Sequence, residues 1–598
     1  RAYALLSGAL LPALEEHGYR VVGLDDLNRE GAELVRGYWQ REVHPLLMPL
    51  TAGPGHPFPH VRNLRPALAA QVRDPRTGER RLGMVELPDG LPRFVRLPES
   101  RRFIPMEEVI RGSFSALYPG MEVDPAHTFR VTRSAELHLD RTQVEDLLHA
   151  VEEQVRKRRF RPVVRLEVER AMPDAVRIML LRELQYEVPG QVAALGGEDV
   201  YPVDGLVDLR GLRELAEVDA PPELSYPPAE APHEPLDPDR SVFDQLRQAP
   251  VLVSFPRDSF SQTVERLVID AAEDPDVLSI KLALYRTNSR SKIVEALSRA
   301  AAQGKQVVAL LELTARFDEL SNIQWARHLR SFGIHVIYGM PGLKVHAKIA
   351  LIVRREPAGI RRYAYIGTGN LNASTAGFYT DLGLLSADPA LGAELNEVFN
   401  SLTGGVLRDD YRQLLVAPTT MRSRFIGMID RETEHARGGG EGRITAKFNG
   451  LADREMIAAL YRASEAGVRI DLLVRGICSL RPGVAGLSEN IRVYSALGRY
   501  LEHERIFRFN NGGDAEYYIG SADWRTRNLS RRVEVAVPIV DPAHRERLDA
   551  ILEHDLARPD LWELGADGTY YQRPEPAPRD TPAAERDSDR PPIIIVET

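Results

Sequence analysis

The sequence predicts a multidomain α/β chain: a helical N-terminal remnant, an α+β head domain and two duplicated α/β domains. Three observations carry this. Two amphipathic stretches, Ile293 to Gln303 and Met456 to Ala466, stop at Gly304 and Gly467 and lead into apolar runs, Val307 to Leu311 and Ile470 to Val474. Helical spacing, a glycine stop and a short β-branched run are the grammar of alternating helix and strand. The order and spacing of this unit then recur. Finally, the segment 219–240 holds Pro221, Pro222, Pro227 and Pro228 among acids, an extended linker ahead of the repeats.

The duplication extends over many positions. Arg286 lies 18 residues before Gly304, and Asn449 lies 18 before Gly467. Glu312 follows Gly304 by 8, and Arg475 follows Gly467 by 8. Val336 and Val493, in short strand-like runs, precede His346 and His503 by 10 each. Ile366-Gly367-Thr368-Gly369-Asn370 matches Ile519-Gly520-Ser521-Ala522-Asp523, and Asp381 and Glu534 each follow by 11. A fixed order of several landmarks is an internal repeat of one α/β unit. Two such units facing each other bring His346 and His503 to one place.

In chain order, residues 1–44 read as the tail of a helical domain, with Ala4 to His17 and Leu27 to Gln40 in helical spacing. Residues 45–240 form the head domain with its linker, mixing strands such as Met84 to Leu87 and Val163 to Leu166 with a helix from Arg141 to Arg156. The repeats occupy 241–419 and 420–571, and 572–598 is a disordered tail in which Ile593 to Val596 could add a strand. Gly438-Gly439-Gly440 reads as a connector ahead of the second repeat. The basic runs Arg101-Arg102 and Arg156 to Arg159 read as solvated helix ends.

Composition narrows the function. The chain has 598 residues, 43% hydrophobic and 27% charged, an ordinary globular make-up. With 77 Lys and Arg against 86 Asp and Glu, no bulk basicity points to nucleic acid, so a polyanion must be met locally. The single cysteine, Cys478, rules out a disulfide within the chain and fits a reducing compartment. No apolar run reaches membrane-spanning length. No phosphate-cradling G-x-x-x-x-G-K-[ST] loop is present.

The chemistry concentrates at Gly342-Leu343-Lys344-Val345-His346-Ala347-Lys348. In a strand His346 and Lys348 share a face, setting a nucleophile beside a fixed positive charge. That suits attack at phosphorus, where charge on the equatorial oxygens must be offset. One H-x-K is weak; Leu501-Glu502-His503-Glu504-Arg505 at the matching place of the second repeat strengthens it. H-x-K, then G-[ST]-x-N, then an acid resembles the phospholipase D superfamily. Its usual aspartate, five after the lysine, is Val353 here and Asn510 in the second copy, which weighs against phosphodiester hydrolysis.

Leu284-Tyr285-Arg286, Glu312 to Glu319, Lys344 to Lys348, Val474-Arg475-Gly476 and Leu501-Glu502-His503 together resemble the first class of polyphosphate kinases, over nearly the whole chain. The resemblance implies two phospholipase D-like C-terminal domains and reversible transfer of the γ-phosphate of ATP to inorganic polyphosphate. By it His346 is the residue phosphorylated, and Tyr379, Arg475 and His503 contact the nucleotide. Arg286 and Arg316 match positions assigned to a Mg²⁺ site; a guanidinium cannot ligate a cation, so they read as phosphate clamps beside the Mg²⁺ that ATP brings. On this reading Asp381 fixes the His346 tautomer, Lys348 and the arginines offset charge, and His503 serves the leaving oxygen. The resemblance also implies a homo-oligomer, dimer or tetramer, in the cytoplasm or peripheral at the inner face of the membrane. A phospholipase D-like phosphodiesterase or transphosphatidylase is the second reading.

Overall fold

The computed structural model describes residues 2–53, 58–98, 100–134, 147–158, 161–185, 195–218, 222–227, 229–284, 291–312, 319–340 and 342–573. Its contacts divide the chain into two compact units, 1–138 with 153–225, and 139–152 with 226–598.

In the first unit, helical turns run from Ala2–Leu5 through Leu11–Glu16, and Arg29–Tyr38 follows, its first turn capped by the Asn28 side chain. This matches the helical reading of the N-terminal stretch. The main sheet runs in the order Val200–Val203, Val163–Glu169, His127–Arg133, Pro66–Arg73, Arg80–Glu86, Leu50–Ala52. The strand patterns read at 84–87 and 163–166 fall in this sheet. A described helix, Leu147–Arg158, divided between the two units at residue 152, overlaps the stretch read as helical over 141–156. Arg102 donates to the Asp26 carbonyl and Arg101 to the His17 carbonyl, so this basic pair ties backbone together.

In the second unit the duplication is topological. One sheet runs Val251–Phe255, Tyr379–Ser386, Gly359–Gly367, Lys348–Glu356, Val277–Leu284, Gln306–Leu311, His335–Ile337. The other runs Leu415–Ala417, Arg532–Ile539, Glu516–Gly520, Ile506–Phe509, Arg443–Phe448, Arg469–Val474, Ile491–Ser495, with two added edge strands. Pairing senses agree strand for strand: the last three of each series are parallel, the rest antiparallel. Lys292–Ala302 and Arg454–Glu465 are the helices read from periodicity. Gly304 and Gly467 stop them at φ +82 and +94, backbone that a side chain disfavours.

The two halves share one apolar core. Ile349, Ile366 and Leu382 of the first pack in the same cluster as Ile506, Ile519 and Val533 of the second. A buried ionic group stands beside it: Lys447 Nζ lies 2.6 Å from each of Glu502, Glu504 and Asp555. These acids form the described carboxylate cluster tight enough to hold a metal, and the ammonium already fills it. Removing the buried cation leaves Glu504 and Asp555 without it, while Glu502 keeps only Arg558 at 2.6 Å. Lys447→Ala is therefore expected to lower stability by about 3–5 kcal/mol, read as a shift in the urea midpoint of the full chain.

Candidate active site

Each histidine directly follows a short strand that pairs into the other half's sheet. Lys344–Val345 pairs in parallel with Arg532-Val533 of the second half, and His346 and Ala347 both donate their backbone N–H to the Val533 carbonyl. Leu501–Glu502 pairs in parallel with Tyr379-Thr380 of the first half, and the His503 N–H donates to Thr380 Oγ1. Each imidazole is thus carried to the strand that holds the other half's acid.

The consequence is a crossed pair of dyads. His346 Nδ1 lies 2.9 Å from Glu534 Oε2, and His503 Nδ1 lies 2.8 Å from Asp381 Oδ1. The acids are held in turn. Thr368 Oγ1 donates to Asp381 at 2.6 Å; Ser521 Oγ and Asn528 Nδ2 donate to Glu534. Thr368 and Ser521 are the hydroxyl positions of the matched glycine motifs. Gly369 is needed here, since a Cβ would meet Asp381 Oδ2 at 2.0 Å. The expectation that Asp381 steadies His346 is corrected: it steadies His503, because the pairing of residues 344–345 with 532–533 hands His346 to Glu534.

The acids are buried, Glu534 with no exposed side chain and Asp381 with 5%, while the rings keep 15% at His346 and 13% at His503. Burial holds both imidazoles below their usual range, His346 well below. The charges of Lys348, Arg532 and Arg505 push His346 the same way. At His503 the Asp381 carboxylate opposes the shift and Arg505 and Arg475 add to it. Burial also lowers the Lys348 ammonium and raises the Glu534 carboxyl.

Arg505 joins the two dyads. Its guanidinium lies 3.3 Å from His503 Nε2, donates to the Thr368 carbonyl, and pairs with buried Asp523 at 3.1 Å. Its charge also bears on His346 and Lys348. It stands in the second repeat where Lys348 stands in the first. Asp523, held down to about 2 mainly by that guanidinium against its own burial, also accepts from Asn449.

The halves differ where they face the rings. Tyr379 and Arg532 hold the same place, two residues before the acid. Tyr379 lies 5.1 Å from the His503 ring, centroid to centroid, while Arg532 places a cation near His346. Arg475 follows its strand, donates to Asn449 Oδ1, and its charge reaches His503. Glu312, its counterpart, accepts the Val345 N–H ahead of His346.

The structure therefore brings His346, Lys348, Asp381, Tyr379, Arg475 and His503 together. Arg286 and Arg316 lie outside the described residues. Arg505, Arg532, Thr368 and Ser521 were not singled out for a role by sequence. Glu534 was marked as the repeat of Asp381, but spacing carries no sign of which ring an acid meets. Val353 and Asn510 contribute no acid: Val353 pairs within its sheet and Asn510 donates to the Glu441 carbonyl.

Fold and site define a class: an α/β enzyme built by duplication, with one imidazole from each half held by a carboxylate of the other. Family models place this chain within that class: the polyphosphate kinase middle domain matches residues 30–215, C-terminal domain 1 matches 241–407 and C-terminal domain 2 matches 414–584. A polyphosphate kinase of Thermosynechococcus vestitus is 47% identical over 93% of this chain and 79% of its own length. One of Streptomyces coelicolor is 45% identical over 94% and 74%. The crystal structure of polyphosphate kinase from Porphyromonas gingivalis superposes with a TM-score of 0.82 at 32% identity, covering 98% of this chain and 86% of that one. The chain belongs to the polyphosphate kinase family.

Both rings are expected to be neutral at and above pH 6.5, their ordinary value. Unfolding restores that value, so between the lowered pKa and 6.5 the unfolded chain binds more protons, and stability falls as pH drops through this window. Histidine-selective NMR checks it: either ring titrating above 6.5 in the free enzyme contradicts the burial account.

Proposed function

We propose that the chain is an ATP:polyphosphate phosphotransferase that moves the γ-phosphate reversibly between ATP and polyphosphate through a phosphohistidine at His346. The observation that carries this is the crossed pair of carboxylate-held imidazoles amid Lys348, Arg505 and Arg532, in a chain of this family. A neutral imidazole is the nucleophile phosphoryl transfer needs. With Nδ1–H donated to Glu534, the lone pair on Nε2 attacks the γ-phosphorus. The Nε2–P bond forms as the bond to the β–γ bridging oxygen breaks, and ADP carries away that electron pair. The terminal oxygen of a polyphosphate chain then takes the phosphoryl group and frees the ring.

The asymmetry between the halves supports the choice of ring. His346 has Lys348 on its own strand and Arg532 beside it, cations suited to equatorial oxygens. His503 has Tyr379 and Arg475, an aromatic face and a guanidinium suited to a base and its phosphates. Burial lowers the His503 imidazole, so the ring is neutral in the free enzyme at and above pH 6.5. Incoming phosphate charge raises its proton affinity, so it gains a proton as substrate binds and gives it to the leaving oxygen.

Mg²⁺ fits as the counter-ion ATP carries. Among the described residues the carboxylate cluster belongs to Lys447, Asp381 and Glu534 hold imidazoles, Asp523 holds Arg505, and Glu312 accepts a backbone N–H. Arg286 and Arg316 are proposed as clamps on the same phosphates. No described helix is long and apolar enough to cross a membrane. We place the enzyme in the cytoplasm as a homo-oligomer, with any membrane contact peripheral.

His346→Ala is expected to abolish acid-labile labelling from γ-³²P-ATP, and persistent labelling overturns the assignment. Glu534→Gln keeps the ring in place but weakens its hold on Nδ1–H. It should cut the rate of labelling by roughly 100-fold or more while the chain still unfolds in one cooperative urea transition.

A further inference from the structure

The strands that carry Asp381 and Glu534 run away from the histidines and end at a cavity of about 660 Å³ between the two halves. Tyr379–Ser386 contributes Leu384 and Ser386 to it, and Arg532–Ile539 contributes Val537 to Ile539. From Asp381 to Ser386 is about 16 Å of strand. The proposed reaction makes no use of this space.

Its lining mixes apolar side chains, Leu246, Leu391 and Val537 among them, with polar groups that are unevenly satisfied. Asp388 and Asp541 are spent on the helices they cap, accepting from Leu391 and from Ala543 and His544. Arg247 pairs with Asp244 and Glu356. Arg361 has no carboxylate partner among the described residues and makes one long bond, 3.4 Å, to the Ala387 carbonyl. His544 Nε2 accepts the Leu252 N–H, which leaves the proton on Nδ1, a buried donor with no partner among the described residues. One unspent donor group thus comes from each half, in a space large enough for a small ring system.

We infer that this cavity binds a small organic anion with an apolar body, its acid group taken by Arg361 and its body lying between Leu384 and Val537. Because its walls continue into the strands holding Asp381 and Glu534, occupancy changes the rate of phosphoryl transfer. The rate effect rests on the proposed reaction; the binding does not.

The test uses the full chain and the fluorescent anion 1-anilinonaphthalene-8-sulfonate. One probe per chain is expected to bind saturably, to stay bound under saturating ATP, and to change the ATP–polyphosphate rate at least twofold. Neutral N-phenyl-1-naphthylamine should bind at least tenfold more weakly. Arg361→Glu should weaken the sulfonate at least tenfold and leave the probe-free rate unchanged, while Arg361→Lys retains binding. Val540→Trp changes an exposed lining residue, fills the mouth without disturbing the core, and should also exclude the probe. Displacement by ATP, or equal binding by the Arg361→Glu and Val540→Trp variants, overturns the site. Binding that leaves the rate unmoved overturns the link to the dyads, and failure of His346 labelling leaves the fluorescence result standing.

Discussion

Two short exchanged strands hold the site together. Where Lys344–Val345 joins Arg532-Val533, and Leu501–Glu502 joins Tyr379-Thr380, backbone hydrogen bonds rather than flexible side chains decide which acid each imidazole meets. Neither half contains a complete histidine–carboxylate pair. The dyads exist only when the halves are docked, and the core shared by Ile349, Ile366, Ile506 and Ile519 is what docks them. Packing and chemistry are therefore one requirement here. Apolar contact between the halves thus supports the dyads as well as the core.

The electrostatics follow from placing so many charges under cover. Burial is the largest cause lowering both imidazoles; cations add to it at each ring, against the Asp381 carboxylate at His503. The same cations are matched by Asp523, Glu534 and Asp381, each fixed by donors from hydroxyls, amides or guanidinium. The arrangement is poised for a ligand that brings negative charge, and a phosphate chain is such a ligand. Lys447, enclosed by Glu502, Glu504 and Asp555, applies the same logic next to His503, where a metal ion could otherwise settle.

Much of this was legible in the chain. The glycine stops at Gly304 and Gly467, the periodic helices before them and the apolar runs after them name the α/β unit. Equal spacings around His346 and His503 reveal the repeat and both rings. The crossed pairing was not legible, because Asp381 and Glu534 occupy equivalent positions and spacing within a repeat is blind to exchange between repeats. Arg505 was hidden for a related reason: its position matches Lys348, yet its guanidinium reaches into the other half to Thr368. Arg532 was hidden because its repeat partner is Tyr379, a residue of different chemistry. The α+β character of the head domain was plain from the short strands near 84 and 163, whereas their order in the sheet depends on long-range pairing.

The exchange itself is open to direct measurement by double-mutant cycles on unfolding free energy. His346→Asn combined with Glu534→Gln should show an interaction of about 0.5–3 kcal/mol, as should His503→Asn with Asp381→Asn. His346→Asn with Asp381→Asn should be additive. Additivity for 346 with 534, together with an interaction between 346 and 381, would mean that each half keeps its own acid and would contradict the crossed site.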